Sequence, residues 1–305
     1  MIHVEKIHSL TGHRDCVYTV EASDHAAHIF SAGGDGMIVR WNISAPEEGE
    51  LIAKLPNSVY AIHYLANEDH LIVGQNYEGI HVLDWKEKKE IATLKLSTSS
   101  IFDIQSVQRD VIVASGDGSV TIVDLEKWII KKRLVPSKKS ARVIAVNKLT
   151  GEMAVGFSDY FIRIFSLDDY SLKHEFQAHQ NSVFTLRYTP DNKFLISGSR
   201  DARLKVWDVS SGYAQTAEVV AHLFAINHMA FSPTGKHFVT GSMDKSIKVW
   251  DTSELKLLKV IDKARYAGHG TSVNKLLWTS FNDQLVSASD DRTLSVWRLQ
   301  VDSQK

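Results

Sequence analysis

From Phe194 to Asp208 the chain reads Phe-Leu-Ile-Ser-Gly-Ser-Arg-Asp-Ala-Arg-Leu-Lys-Val-Trp-Asp. Apolar and β-branched residues alternate with polar ones on both sides of a short polar centre. A period of two is that of a half-buried strand, so the stretch predicts strands over 194–199 and 204–208 joined by a tight turn. The same pattern recurs at 29–42, 238–251 and 285–298. A pattern that returns at a fixed interval decides the architecture before any single residue decides the function.

The Trp closing each strong copy sits at 41, 207, 250 and 297, and weaker copies close on Leu83, Val123 and Phe165. The successive intervals are 42, 40, 42, 42, 43 and 47 residues, so seven units fill the chain. Four units carry a further signature. His13, Ser31, Asp35 and Trp41 fall at spacings of 18, 4 and 6. His179, Ser197, Asp201 and Trp207 repeat those spacings, as do His222, Thr240, Asp244 and Trp250, and His269, Ser287, Asp291 and Trp297. The weak units lose His, Ser and Trp together and place Val73, Val113 and Val155 at the Ser position. Loss as a set implies mutual dependence. A buried donor stripped of its acceptor costs about 1–3 kcal/mol, so replacing the whole group is milder than losing part of it.

The Gly12-His13 and Gly268-His269 pairs, with Trp207-Asp208 and Trp250-Asp251, resemble the WD40 repeat family, over nearly the whole chain. The resemblance implies an all-β fold. It would be a single seven-bladed β-propeller over 1–305, four antiparallel strands to a blade. The blades would run approximately over 12–55, 56–96, 97–135, 136–177, 178–220, 221–262 and 263–299 with 2–10. It also implies that each His–Ser/Thr–Asp–Trp set is a buried hydrogen-bond network. His8-Ser-Leu-Thr-Gly-His13 matches His174-Glu-Phe-Gln-Ala-His179, an outer strand leading into a new repeat, whereas the last unit lacks an outer strand. The N-terminal strand is therefore expected to complete the last blade and remove exposed sheet edges.

Composition narrows the functional classes. The net charge of −1 implies no general attraction to nucleic acid or membrane surfaces. A single cysteine, Cys16, excludes a disulfide framework. With no secretory signal or spanning segment apparent, a soluble cytoplasmic protein is the expectation, nuclear as well in a eukaryotic source.

Recurrent His, Ser and Asp invite a hydrolase reading. A nucleophile site, however, occurs once, in a cleft, whereas this set occurs four times with each Ser inside a strand pattern; satisfied blade cores are the expectation. His13-Arg-Asp15 lacks the other kinase motifs, and Ser31-Ala-Gly-Gly-Asp-Gly36 lacks a phosphate-loop ending. His25 and His28 show no further metal ligands in sequence, and no cofactor is indicated. Six basic residues between Lys131 and Arg142 (Lys131, Lys132, Arg133, Lys138, Lys139, Arg142) read first as a solvated face.

Partner binding has a better sequence signal. Val17-Tyr-Thr-Val20, Val59-Tyr-Ala-Ile62 and Val183-Phe-Thr-Leu186 place apolar residues three apart in a strand, which suggests a bulge that re-aims the residue between them. In the family resembled, that residue faces the top of the propeller. Carried across, the ring is Tyr18, Tyr60, Phe102, Ile144, Phe184, Asn227 and Asn274. Arg142 is placed among the residues two before the ring, with Cys16, Ser58, Ser100, Ser182, Ala225 and Ser272. Arg200 and Met243 stand among those preceding the turn Asp, with Gly34, Gly116, Ser158 and Asp290; Asn76 is the equivalent in blade two. The expectation is a non-enzymatic scaffold within a multiprotein assembly. An extended peptide or loop would set an apolar group on the aromatics and an acidic group near Arg142 and Arg200. Neither membrane nor direct nucleic-acid contact is expected. The alternative is a small-ligand or enzymatic propeller that uses its central channel.

Overall fold

The computed structural model describes residues 2–23, 25–46 and 49–301. Among them are seven four-stranded sheets, the blades of a β-propeller. In six the strands lie in chain order; in the seventh Ile2–Leu10 takes the fourth place beside Leu294–Val301, as expected from the missing outer strand. The chain divides into two compact units, one of 1–59, 66–69 and 227–305, the other of 60–65 and 70–226.

The first unit holds blade one (Val17–Ala22, His28–Gly33, Met37–Asn42, Glu50–Lys54), most of blade six and the whole of blade seven. Its core includes Leu10, Val17, Ile29, Val39 and Trp41 packed with Val286, Leu294 and Val296. The second unit holds blades three, four and five and most of blade two. Blade four is Ala141–Asn147, Glu152–Phe157, Phe161–Ser166 and Leu172–Gln177. Its Val143, Ala154, Ile162 and Ile164 join Val183, Leu186, Leu195 and Trp207 of blade five in one core. Side chains from both faces of the second strands are buried, as in Asp110–Ser115, whereas fourth strands such as Ile129–Leu134 are largely exposed. Each large side chain withdrawn from water contributes roughly 1.5–3 kcal/mol, so the inner three strands carry most of the stabilisation.

Two glycines show how closely the strands approach. A Cβ on Gly156 would sit 2.7 Å from the Val183 side chain of the next blade. Gly118 has φ +85°, and a Cβ there would meet the Ser137 carbonyl at 2.1 Å, so a side chain is excluded twice over.

Candidate partner-binding face

The His–Ser–Asp–Trp sets are assembled as networks. In blade five, Trp207 Nε1–H donates to Ser197 Oγ at 2.9 Å, and His179 contacts Ser197 Oγ at 2.7 Å and Asp201 at 2.9 Å. Blade one repeats this through His13, Ser31, Asp35 and Trp41, and blade seven through His269, Ser287, Asp291 and Trp297. In blade six Trp250 donates to Thr240 at 2.9 Å. One assignment satisfies every group: imidazole Nδ1–H donates to Asp, Nε2 accepts the Ser hydroxyl proton, and Ser oxygen accepts from Trp. Burial opposes ionisation of Asp201, but the hydrogen bond and charge of His179 and the Gln180 and Arg203 amides outweigh it and hold the carboxyl at about 2. Asp291 is lowered likewise against burial by His269 and Thr293. Burial pushes the His13 imidazole down despite Asp35. Ser31, Ser197 and Ser287 are completely buried, so no substrate carbonyl can reach them.

Blade four shows what replaces the set. Ser137, Val155, Asp159 and Phe165 keep the spacings of 18, 4 and 6. Ser137 Oγ–H donates to Asp159 at 2.6 Å, while Val155 and Phe165 fill the interior where Ser and Trp would bond. In blade three Ser97 donates to Asp117 in the same way.

The bulge expected at the start of each first strand is present in blades one, three, four, five and seven, where pairing skips Tyr18, Phe102, Arg142, Phe184 and Asn274. Tyr60 and Asn227 occupy the same place in the burial pattern of blades two and six. One residue of the expected ring is thereby corrected. In blade four the skipped residue is Arg142. Ile144 lies two positions on, 1% exposed in the core, with its N–H bonded to Asp103 at 2.7 Å. An apolar side chain at that register is drawn to the core, whereas the longer Arg142 occupies the bulge. Ser140, not Arg142, is then the residue two before; its hydroxyl donates to the Gly116 carbonyl at 3.0 Å.

Arg142 reorganises the picture of this face in the second unit. Its guanidinium carbon lies 3.7 Å from the Phe102 ring centre and 4.6 Å from that of Phe184. The Tyr60 and Phe102 rings stack at 5.7 Å and 15°. Tyr60, Phe102, Arg142 and Phe184 thus form one ladder. Among the described residues, no carboxylate lies within ion-pair distance of Arg142 or Arg200 and neither guanidinium has a hydrogen-bond acceptor. Burial lowers the pKa of Arg142 to about 10; Tyr60 opposes the shift and the like charge of Arg200 adds to it.

Other candidates are committed within the structure. Asn227 Nδ2–H donates to Ser272 and Val273, and Asn274 Nδ2–H to Val17 and Asp290, so both amides stitch neighbouring strands in the first unit. Asn76 is buried and accepts from Ile101 N–H. Burial and Asp290 raise the Cys16 thiol to about 11. In the basic run, Lys131 pairs with Asp110, Arg133 with Asp117, and Lys132 donates to the Asp169 carbonyl, which leaves Lys138, Lys139 and Arg142 outside those bonds. His28 contacts Arg40. Met243 is 50% exposed in the first unit.

Seven repeated antiparallel blades with recurrent polar cores define a β-propeller repeat protein. The profile of the WD40 family, described as "WD domain, G-beta repeat", matches residues 4–42, 170–208, 214–251 and 261–298, just over half of the chain. The chain belongs to the WD40 family. It is 21% identical over 245 residues to a Dictyostelium discoideum "Striatin homolog", covering 68% of this chain and 30% of that protein. It is 24% identical over 314 residues to the Arabidopsis thaliana "WD repeat-containing protein 26 homolog", covering 97% of this chain and 43% of that protein. With the Saccharomyces cerevisiae "Periodic tryptophan protein 2" it shares 23% identity over 211 residues, 67% of this chain and 21% of that protein. The chain spans less than half the length of these relatives.

Proposed function

We propose that the chain is a non-enzymatic scaffold that holds a protein partner against Tyr60, Phe102, Arg142 and Phe184, with an acidic group of the partner on Arg142. The single observation that carries this reading is the Arg142 guanidinium, held over the Phe102 and Phe184 rings with no acceptor among the described residues. The rings meet the cation through its π contacts and supply no acceptor for its N–H groups, which match a carboxylate in fork geometry. The flanking aromatics exclude water around that contact, the environment in which Arg and Tyr become binding hot spots. Family membership supports an interaction role, and none of the three relatives above is named as an enzyme.

The test is affinity capture from the source cell with wild type, Arg142→Gln and the double variant Tyr60→Ala/Phe102→Ala, each matched for native circular dichroism. Expected is a protein retained by wild type and lost by both variants. The reading fails if all three capture the same proteins. Small-ligand binding that saturates on wild type and disappears on Arg142→Gln would instead favour the channel alternative.

A further inference from the structure

The seven repeats provide an internal control for the loop before each first strand. The two residues standing four and three before the bulge are Arg14-Asp15, Pro56-Asn57, Thr98-Ser99, Lys138-Lys139, Gln180-Asn181, Leu223-Phe224 and Gly270-Thr271. Six of these pairs are polar, charged or small. The sixth is a pair of large apolar side chains, 83% and 63% exposed. The fold therefore does not require apolar side chains here, and an exposed apolar pair is the kind of deviation that marks a contact surface.

The pair lies close to the arginine ladder within the second unit. The Arg200 N–H donates to the Ser182 carbonyl, which holds the blade-five turn beside the strand carrying Phe184. The Ala202 carbonyl accepts from Ala221 and His222, which ties the loop bearing Leu223 and Phe224 to the other side of that turn. From Arg142 the surface thus runs through Phe184 and the Arg200 turn to Leu223 and Phe224. Lys138 and Lys139 occupy the matching loop of blade four. The turn acids of blades three to five are engaged elsewhere: Asp117 by Arg133, Asp159 by Arg163 and Asp201 by His179. One end of the surface is cationic and the other apolar.

We propose that Leu223 and Phe224 form a second subsite, and that this face takes a linear peptide segment carrying a carboxylate for Arg142 and an aliphatic or aromatic side chain for Leu223 and Phe224. Charge complementarity selects the acidic end, and the repeat-breaking pair selects the apolar end. Sheets pack about 10 Å apart and an extended chain advances about 3.3 Å per residue. Arg142 in blade four and the loop entering blade six are two such spacings apart, so the two determinants stand roughly six residues apart. This inference rests on the scaffold reading above and adds to it the sequence class of the partner.

The test is selection of a random dodecapeptide phage library on the immobilised full chain. Synthetic copies of the enriched peptides are then titrated by fluorescence anisotropy against wild type, Arg142→Gln and Leu223→Ser/Phe224→Ser. Expected is enrichment of peptides with Asp or Glu spaced from Leu, Ile or Phe, and a weakening of about tenfold or more on each variant. Both side chains of the double variant are exposed, so its folding is checked directly by an unchanged melting curve. Enriched peptides that bind the double variant as well as wild type but lose affinity on Arg142→Gln overturn the second subsite and leave the scaffold reading standing. Affinity that ignores Arg142→Gln, or no enrichment over empty support, overturns both. Self-association of wild type that the double variant abolishes identifies a second copy as the occupant and also overturns the peptide proposal.

Discussion

The guanidinium of Arg142 rests 3.7 Å from the centre of the Phe102 ring, and among the described residues no carboxylate balances it. A cation held in this way costs the fold stability. Burial pulls its pKa well below the ordinary guanidinium value, to about 10, equivalent to about 3 kcal/mol against the charged form. Stacking on the rings returns about 0.5–2 kcal/mol. The penalty is full at every pH below about 10 and is relieved as pH rises from there toward the ordinary guanidinium value. Arg142→Leu is therefore expected to raise stability by roughly 1–2 kcal/mol and the melting temperature by a few degrees. Differential scanning calorimetry at neutral pH checks this, and a lower melting temperature would show that the stack outweighs desolvation.

The polar set of blade five should tolerate wholesale replacement better than partial loss. Ser197→Val strips an acceptor from Trp207 and a donor from His179, at about 1–3 kcal/mol for each orphaned group. Blade four already carries the alternative: a half-buried Ser137 bonded to Asp159, with Val155 and Phe165 buried beside them. The triple variant His179→Ser/Ser197→Val/Trp207→Phe installs that combination. In urea unfolding it should be more stable than the sum of the three single losses. Additivity would mean that the members do not depend on one another.

Much of this architecture was legible in the sequence because the repeat states it several times. The Trp spacing located the blades, and residues three apart in Val17-Tyr-Thr-Val20 announced the bulge. Arg142 escaped the first ring because Ala141-Arg-Val-Ile144 puts a charge where blades one, two, three and five have an aromatic, so apolar matching slid the register to Ile144. Pairings between blades were hidden for a different reason. Tyr213 donates to Glu152 at 2.8 Å and Tyr170 to Asp110 at 2.5 Å, each across about sixty positions of sequence. No local period encodes such a contact. The Leu223-Phe224 anomaly was readable, but only once the seven loops had been aligned on the bulge.

Acid should weaken the blade through Asp201. Its folded pKa of about 2 lies below the usual 3.8, so the stabilisation is complete above 3.8 and is lost as pH falls through about 2. The difference in unfolding free energy between wild type and Asp201→Asn should therefore be constant from neutral pH to about 4, at about 2 kcal/mol, and shrink below it. Guanidinium titrations at closely spaced pH values read this directly. A difference that persists unchanged toward pH 2 would assign the effect to geometry and not to charge.

The N-terminal strand offers the most direct test of how the last blade is built. Eight residue pairs join Ile2–Leu10 to Leu294–Val301, interrupted by a bulge between Lys6 and His8. Ile2 and Leu10 are buried, Glu5 pairs with Arg298 at 2.7 Å, and Lys6 lies over the Trp297 ring at 5.7 Å. Removing residues 2–10 strips Leu294–Val301 of its outer partner and uncovers the row of backbone groups that the strand satisfies. Losing the two buried side chains alone costs roughly 4 kcal/mol or more, since each large aliphatic side chain removed from a core costs about 2–5 kcal/mol. The truncated chain should melt many degrees lower and aggregate through the uncovered strand. A synthetic peptide of residues 1–12 added in excess should restore the melting temperature in a concentration-dependent way, because it binds the folded state alone. The peptide with Leu10→Asp should not. Unchanged melting after truncation would mean that the three remaining strands hold the blade without their neighbour.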